Sequence, residues 1–262
     1  SSGTPAIGVG TGNVPVIVDE TADLDDAARK ICASKIFDNS TSCSSENSVI
    51  IVDAVYEPML AALERVGGYM ASAAEKAKIQ AVLWPDGKLS RTLIARDADV
   101  LARGCDLPAA AASKKFFMVE ETGVGRDFPF SGEKLALVLT VYRATDFDDA
   151  AARANAILRY QGLGHSVGLH SKDMGRARKL AEQTDVVRVL IHQAHTFGNG
   201  GGFDNGLNFT LSMGCGTWGG NSITDNLNYM NFLNITHLVT TIREDKPSED
   251  ALFGAYWAKY GR

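Results

Sequence analysis

No apolar run in the 262 residues approaches the roughly 18–20 that a membrane-spanning helix requires, so the sequence is expected to be a soluble protein with no membrane partner. Cysteine is scarce. The four thiols, at positions 32, 43, 105 and 215, form no C-x-x-C pair and no close cluster, which argues against a disulfide framework or a structural zinc site and for a reducing, cytoplasmic setting. Of the five histidines, no two are spaced as ligands on one helix face, so no metal is expected. An excess of positive charge is also missing: 26 Lys and Arg stand against 31 Asp and Glu, a net charge of −5, which makes a nucleic-acid partner unfavourable. Internal repeats and low-complexity segments are absent. The chain opens at Ser1 rather than Met, and Ser1-Ser2-Gly3-Thr4-Pro5 lacks the basic and apolar pattern of a signal peptide; it reads as a cut rather than a beginning.

What is present is the composition of a globular protein, 45% hydrophobic and 22% charged, at a length that suits one large domain or two small ones. Strand and helix periodicities alternate. Val14 to Val18 reads as a strand, and Leu24 to Ile36 as a helix that Asp23 is placed to cap. Ser48 to Val52 is a buried strand. Pro58 to Val66 reads as a helix stopped by Gly67-Gly68, and Tyr69 to Leu83 as a second helix ended by Pro85-Asp86-Gly87. Thr92 to Ala95, Phe116 to Val119 and Leu135 to Tyr142 are further strands; Asp146 then caps the helix Phe147 to Tyr160. Ser166 to Leu169, the helix Met174 to Thr184 and Val187 to Ile191 continue the alternation. It predicts an α/β fold, a mostly parallel sheet flanked by helices. From His192 to Asn231 the pattern breaks into a loop rich in glycine and asparagine. Ile235 to Ile242 is again β-branched and is expected as a strand reaching a neighbouring subunit or domain, ahead of the charged tail 243–262.

Cys43 stands in the polar loop Asp38-Asn39-Ser40-Thr41-Ser42-Cys43-Ser44-Ser45-Glu46-Asn47, between a predicted helix and a predicted strand. Free cysteines ordinarily prefer apolar burial. A thiol among hydroxyls and amides at an element boundary is placed where backbone N–H groups can stabilise a thiolate and the oxyanion it creates on a carbonyl. It reads as a nucleophile or as a tolerated loop cysteine. Cys32 lies on the apolar face of its helix, and Cys105 and Cys215 lack a polar surround; all three read as structural. His165, just after Gly162-Leu163-Gly164, opens a strand where a side chain can face a cleft, or serves as a surface or capping histidine. Glu133, just ahead of a buried strand, reads as a ribose-binding carboxylate or as solvated surface. Gly8-Val9-Gly10-Thr11-Gly12 is a weak phosphate-loop signal, because a dinucleotide fingerprint follows a strand and opens a helix whereas here a strand comes next.

Several segments, taken together and in order, carry a resemblance over nearly the whole chain. SSGTPAIGVGTGNVPVIVDETADLDDAARKICASKIFDNSTSCSSENSVIIVD, EKLALVLTVYRATDFDDA, GLGHSVGLHSKD and GCGTWGGNSITDN are similar to the coenzyme A-acylating aldehyde dehydrogenases, including the aldehyde dehydrogenase half of bifunctional aldehyde–alcohol dehydrogenases. The resemblance implies the catalytic-domain fold of that family, with Cys43 as the nucleophile that attacks an aldehyde, giving a thiohemiacetal that passes hydride to NAD or NADP and leaves a thioester. Coenzyme A then removes the acyl group. It further implies that His165 handles a proton of the thiol or hemiacetal and that Glu133 holds the nicotinamide ribose. Hydrolytic aldehyde dehydrogenases keep a water-activating glutamate in the stretch matching Ile7 to Pro15. Gly8, Val9 and Gly10 offer no carboxylate there, which disfavours a free acid as product.

Family members are about twice this length, so the chain resembles the C-terminal catalytic half. Residues 1–13 are then a hinge segment from an N-terminal cofactor-binding domain, 14–231 the catalytic domain, and 232–262 a C-terminal strand and tail that serve as a possible oligomerisation arm in a homo-oligomer. The other function class is a non-catalytic fragment or truncated homologue lacking the cofactor domain. Acetaldehyde, longer aldehydes, succinate semialdehyde and sulfoacetaldehyde all fit the resemblance as the small aldehyde substrate. The last two want a cation near the substrate. The Cys43 loop holds none, and Lys35 and Arg126 are the candidates to fold toward it.

Overall fold

The computed structural model describes residues 7–262. Of the expected hinge, 1–6 lie outside the described residues, and 7–13 are irregular up to the first strand. The chain divides into two units, one ending at Asn228 and the other covering Tyr229–Arg262.

Seven strands build the first unit: β1 (Val14–Val18), β2 (Glu46–Val52), β3 (Gly68–Met70), β4 (Phe116–Glu120), β5 (Val138–Ala144), β6 (Val167–His170) and β7 (Val189–Ile191). They form one sheet in the order β3-β4-β5-β2-β1-β6-β7, and every pairing is parallel. Both faces are covered, which is why β1 and β2 are buried at every residue and read as continuous apolar runs. Side chains alternate between the two faces. Val16, Val18, Val49 and Ile51 enter one core with α1 (Leu24–Ile36), α2 (Tyr56–Arg65), α3 (Ala73–Leu83) and α4 (Ala98–Gly104). Ile17, Ile50 and Val52 enter the other with α5 (Phe147–Tyr160) and α6 (Met174–Gln183).

Asp23 and Asp146 cap α1 and α5 as expected, each carboxylate accepting the N–H three residues on. Other boundaries move. Tyr69 and Met70 belong to β3, paired with Phe117 and Met118; the helix starts only after Ser72, which forms a reciprocal capping box with Glu75. Thr92 to Ala95 is a turn, with Ala95 in the left-handed region at φ 57°, and the unforeseen α4 follows. β5 begins at Val138 because Leu135, at φ 47°, turns the chain first. The loop from His192 holds the short α7 (His195–Asn199).

In the second unit, Tyr229–Phe232 form a 3-10 turn, and Ser248 caps α8 (Glu249–Tyr260) inside the expected charged tail. The stretch 235–242 is not a strand. Ile235, Leu238, Val239 and Ile242 are exposed, and β-branched residues form a strand only against a neighbour that takes up their backbone groups. Among the described residues no helix is long and apolar enough to cross a membrane.

Candidate active site

Cys43, Glu133 and His165 all lie at the amino ends of strands, ahead of β2, β5 and β6, as does Gly12 ahead of β1. The usual crevice of an open parallel sheet lies at the carboxyl ends. Here the chemistry-bearing side chains gather along the opposite edge.

The Cys43 turn is held from below and from both sides. After α1 the chain passes through Asp38, Asn39 and Ser40 with φ of 47°, 50° and 65°, a left-handed run that Asp and Asn tolerate better than most residues. The Lys35 amine, fully buried, donates to Ser40 Oγ at 2.8 Å and to the Glu46 carbonyl at 3.0 Å, and Ser40 Oγ meets Ser45 Oγ at 2.8 Å. Asn199 donates to Ser44 Oγ at 2.8 Å from the α7 side. Above the turn lies Gly12, where a methyl group would stand 2.0 Å from the Cys43 carbonyl oxygen. Only glycine fits that approach.

The thiol itself is half-buried. Burial raises its pKa; a hydrogen bond with Ser44 opposes this, and the charges of Glu133 and Cys215 add to the rise. It opens on a cleft of about 800 Å3 whose apolar lining includes Phe37, Phe197, Phe209, Leu211 and Met213. Among the described residues no lysine or arginine lines this cleft. Lys35 points beneath the turn, and Arg126 lines a different cavity with Trp84 and Pro129. Lys35 thus folds toward the Cys43 loop, as the sequence suggested, but from beneath it and not into the cleft, whereas Arg126 does not.

Glu133 is the residue that the structure brings to Cys43. Burial pushes its carboxyl up to about 7, against the pull of Lys134, of the Gly12 N–H and of Lys35. Its own N–H donates to Gln161 Oε1 at 2.9 Å, and Asn13 Nδ2 donates to the carbonyls of Ser131 at 2.9 Å and Gln161 at 3.2 Å. These bonds tie the Gly12 segment to the Glu133 loop and the end of α5.

His165 is not on the surface: it is 1% exposed, and burial, reinforced by the Arg188 charge, lowers its pKa to about 4. Its Nδ1 meets Ser166 Oγ at 2.7 Å, and its Nε2 has no hydrogen-bond partner among the described residues. Arg188, just ahead of β7, joins this histidine to the cysteine region electrostatically, since the charges of Cys215 and Cys43 both act on it. Its guanidinium donates to Asn226 Oδ1, the Gly214 carbonyl and the Thr224 carbonyl at 3.0–3.3 Å, pinning the loop that carries Cys215 and Met213. Cys215 is buried, as expected of a structural thiol, but it lies where its charge reaches Cys43.

Glu46, Arg188 and Ser166 carry no functional reading in the sequence, and Lys35 only that of a cation able to reach the Cys43 loop. For Lys35 a signal existed: it is a charged residue four positions after Ile31, on the face that helix periodicity assigns to the core. Among the described residues no group of three or more His, Cys, Asp or Glu could hold a metal ion.

Fold and site together define an α/β protein with a thiol presented on a rigid turn at the amino edge of a parallel sheet. Compared with known proteins, the chain resembles the acylating aldehyde dehydrogenases. It is 53% identical to the acylating sulfoacetaldehyde dehydrogenase of Cupriavidus necator over 99% of this chain and 53% of the relative. An acetylating aldehyde dehydrogenase from Geobacillus thermoglucosidasius superposes with a TM-score of 0.87 at 32% identity, over 94% of this chain and 54% of that one. Rhodopseudomonas palustris propionaldehyde dehydrogenase, solved with bound CoA and an acylated cysteine, gives a TM-score of 0.73 at 26% identity over 85% and 49%. The chain thus spans about half the length of the relatives it matches. No protein-family model matches.

Proposed function

We propose that the chain is the catalytic half of an acylating aldehyde dehydrogenase, which oxidises a short aldehyde to an acyl-coenzyme A. The observation that carries the reading is the Cys43 turn: a half-buried thiol, locked by Lys35, Ser40, Ser45 and Asn199, at the mouth of an apolar cleft. The likeness to acylating relatives supports it.

Cys43 attacks the aldehyde carbonyl to give a thiohemiacetal, and oxidation leaves a thioester on the same sulfur. The stretch Gly8-Val9-Gly10 brings no carboxylate to activate water, so the thioester waits for the thiol of coenzyme A. Glu133 fits a ribose-binding role: with the Gly12 N–H as one donor, a carboxylate with about four acceptor sites retains room for two sugar hydroxyls. NAD or NADP, when bound, supplies the acceptor for hydride. His165 is neutral at physiological pH, and its unpartnered Nε2 is the atom that gives or takes a proton.

Residues 1–13 are the hinge and 14–231 the catalytic domain; 232–262 form an arm of a homo-oligomer in a cytoplasmic enzyme. An expected mass of two or more chains by light scattering checks the last point. Function is tested on the full-length protein, both halves present, by absorbance at 340 nm with an aldehyde panel, either nicotinamide cofactor, and coenzyme A supplied or withheld. Reduction that requires both coenzyme A and Cys43 is expected. Equal turnover to free acid without coenzyme A would show that another group activates water.

A further inference from the structure

Three of the five histidines, His165, His170 and His195, are each 1% exposed, and a fourth, the half-buried His192, has its ring centroid 6.0 Å from that of His170. Ser166 stands among them. Its fully buried hydroxyl meets His165 Nδ1 at 2.7 Å and His195 Nε2 at 2.8 Å. The His195 ring packs against β6, where a methyl on Gly168 would stand 3.1 Å from its Nδ1, and its backbone N–H donates to Glu46 Oε1 at 3.1 Å. Both histidines are thereby fixed in place.

A serine hydroxyl has one hydrogen. Between two imidazole nitrogens it satisfies both contacts only by donating to one ring and accepting from the other; two ring donors would strand its own hydrogen in the interior, at a cost of about 1–3 kcal/mol. The two tautomers are therefore linked. Either both rings carry their hydrogen on Nε2 or both carry it on Nδ1. The ring nitrogens left without a partner are His165 Nε2 and His195 Nδ1, the two outer ends of the linked pair.

We propose that Ser166 and His195 form a proton wire behind His165, so that a proton taken up at His165 Nε2 is matched by one released at His195 Nδ1. The wire rests on the reading of His165 as the proton-handling group of the Cys43 site. In the uptake direction, the His165 Nδ1–H bond breaks as a bond to Ser166 Oγ forms. The Ser166 hydrogen moves to His195 Nε2, and the His195 Nδ1 hydrogen leaves to solvent water on the side of the half-buried His192, so that one proton enters the pair and one departs. The reverse passage delivers a proton from His165 Nε2, so giving a proton to a hemiacetal oxygen and taking one from a thiol reset each other. Neither ring ends charged. That matters here, because burial holds both imidazoles well away from protonation and the Arg188 charge adds to this at each ring. Ser166 and His195 are positioning residues that act through His165.

The test begins with the ring nitrogens of 15N-histidine-labelled protein, assigned with single-histidine replacements and read by NMR. His165 and His195 are expected in the same tautomer. Ser166→Ala is expected to shift the ring nitrogens of both, and Ser166→Thr to keep the pairing. Opposite tautomers in the unaltered protein would overturn the wire. In the enzyme assay Ser166→Ala and His195→Gln are expected to lower kcat about tenfold with KM unchanged, less than the 10²–10⁴ of removing a general acid outright, and Ser166→Thr to restore most of it. An unchanged kcat would overturn the wire. Turnover that survives Cys43→Ala would instead sink the functional reading, and would leave the tautomer pairing as measured.

Discussion

Gly12 and Cys43 touch backbone to backbone, so closely that the space for a methyl group on one is occupied by the carbonyl of the other. The contact fixes where the sulfur stands. Gly12→Ala forces the turn away by the order of an ångström, a displacement that costs about 10²-fold in rate when a reacting group is misplaced. Loss of acyl-coenzyme A formation with a retained cooperative melt is the expected result; full activity would show that the turn gives way harmlessly.

Glu133 adds its negative charge to the burial that raises the Cys43 thiol. Glu133→Gln removes that charge, so the thiolate forms at lower pH. The midpoint of the pH profile for iodoacetamide alkylation at Cys43, followed by mass spectrometry, is expected to move down. A midpoint that stays or rises would mean that the two groups do not sense each other.

Lys35 is fully buried, and burial lowers its amine to about 7, against the opposing charges of Glu46 and Glu133. The unfolded amine keeps its proton up to about 10.4, so between roughly pH 7 and 10 the unfolded state binds more protons and stability rises with pH. Lys35→Met deletes this contribution. Thermal melts across that window should show a rising midpoint for the natural protein and a flatter profile for the variant, with a slower Cys43 alkylation because Ser40 and the Glu46 carbonyl lose their donor.

Arg188 gives three hydrogen bonds to the loop 214–226. Lysine cannot reproduce a planar fork. Arg188→Lys is expected to cost about 1–3 kcal/mol by leaving buried acceptors unmet, read as a lower melting temperature, together with earlier proteolysis within that loop.

Much of the fold was legible because the sheet is buried on both faces and α1 and α5 carry plain caps. The run Val14 to Val18 and the helices from Leu24 and Phe147 fall where periodicity and Asp23 or Asp146 put them. What failed failed locally. β3 has only three residues, too few for a period, and it runs directly into a helix that Ser72 and Glu75 start. Ile235 to Ile242 has strand composition but no strand, because pairing is a property of two segments. At the site, the loop polarity around Cys43 could be read directly, whereas Glu133 gained weight only from the family likeness. The bonds that make Ser166, His195 and Arg188 matter run between β6, β7, α7 and the glycine-rich loop. No spacing along the chain encodes them.

The strand order sets a timetable for synthesis. β1 sits near the middle of the sheet, with β2 on one side and β6 on the other. β2 leaves the ribosome soon after β1, so the Cys43 turn between them can close early. β6 follows about 150 residues behind β1, on the order of ten seconds at roughly 5–20 residues per second. Through that interval one edge of β1 has no strand beside it, and a nascent chain is most open to chaperone capture or to pairing with another copy. The turn that carries the thiol is thus made well before its histidine, and Asn199, which steadies it from the far side, comes later still.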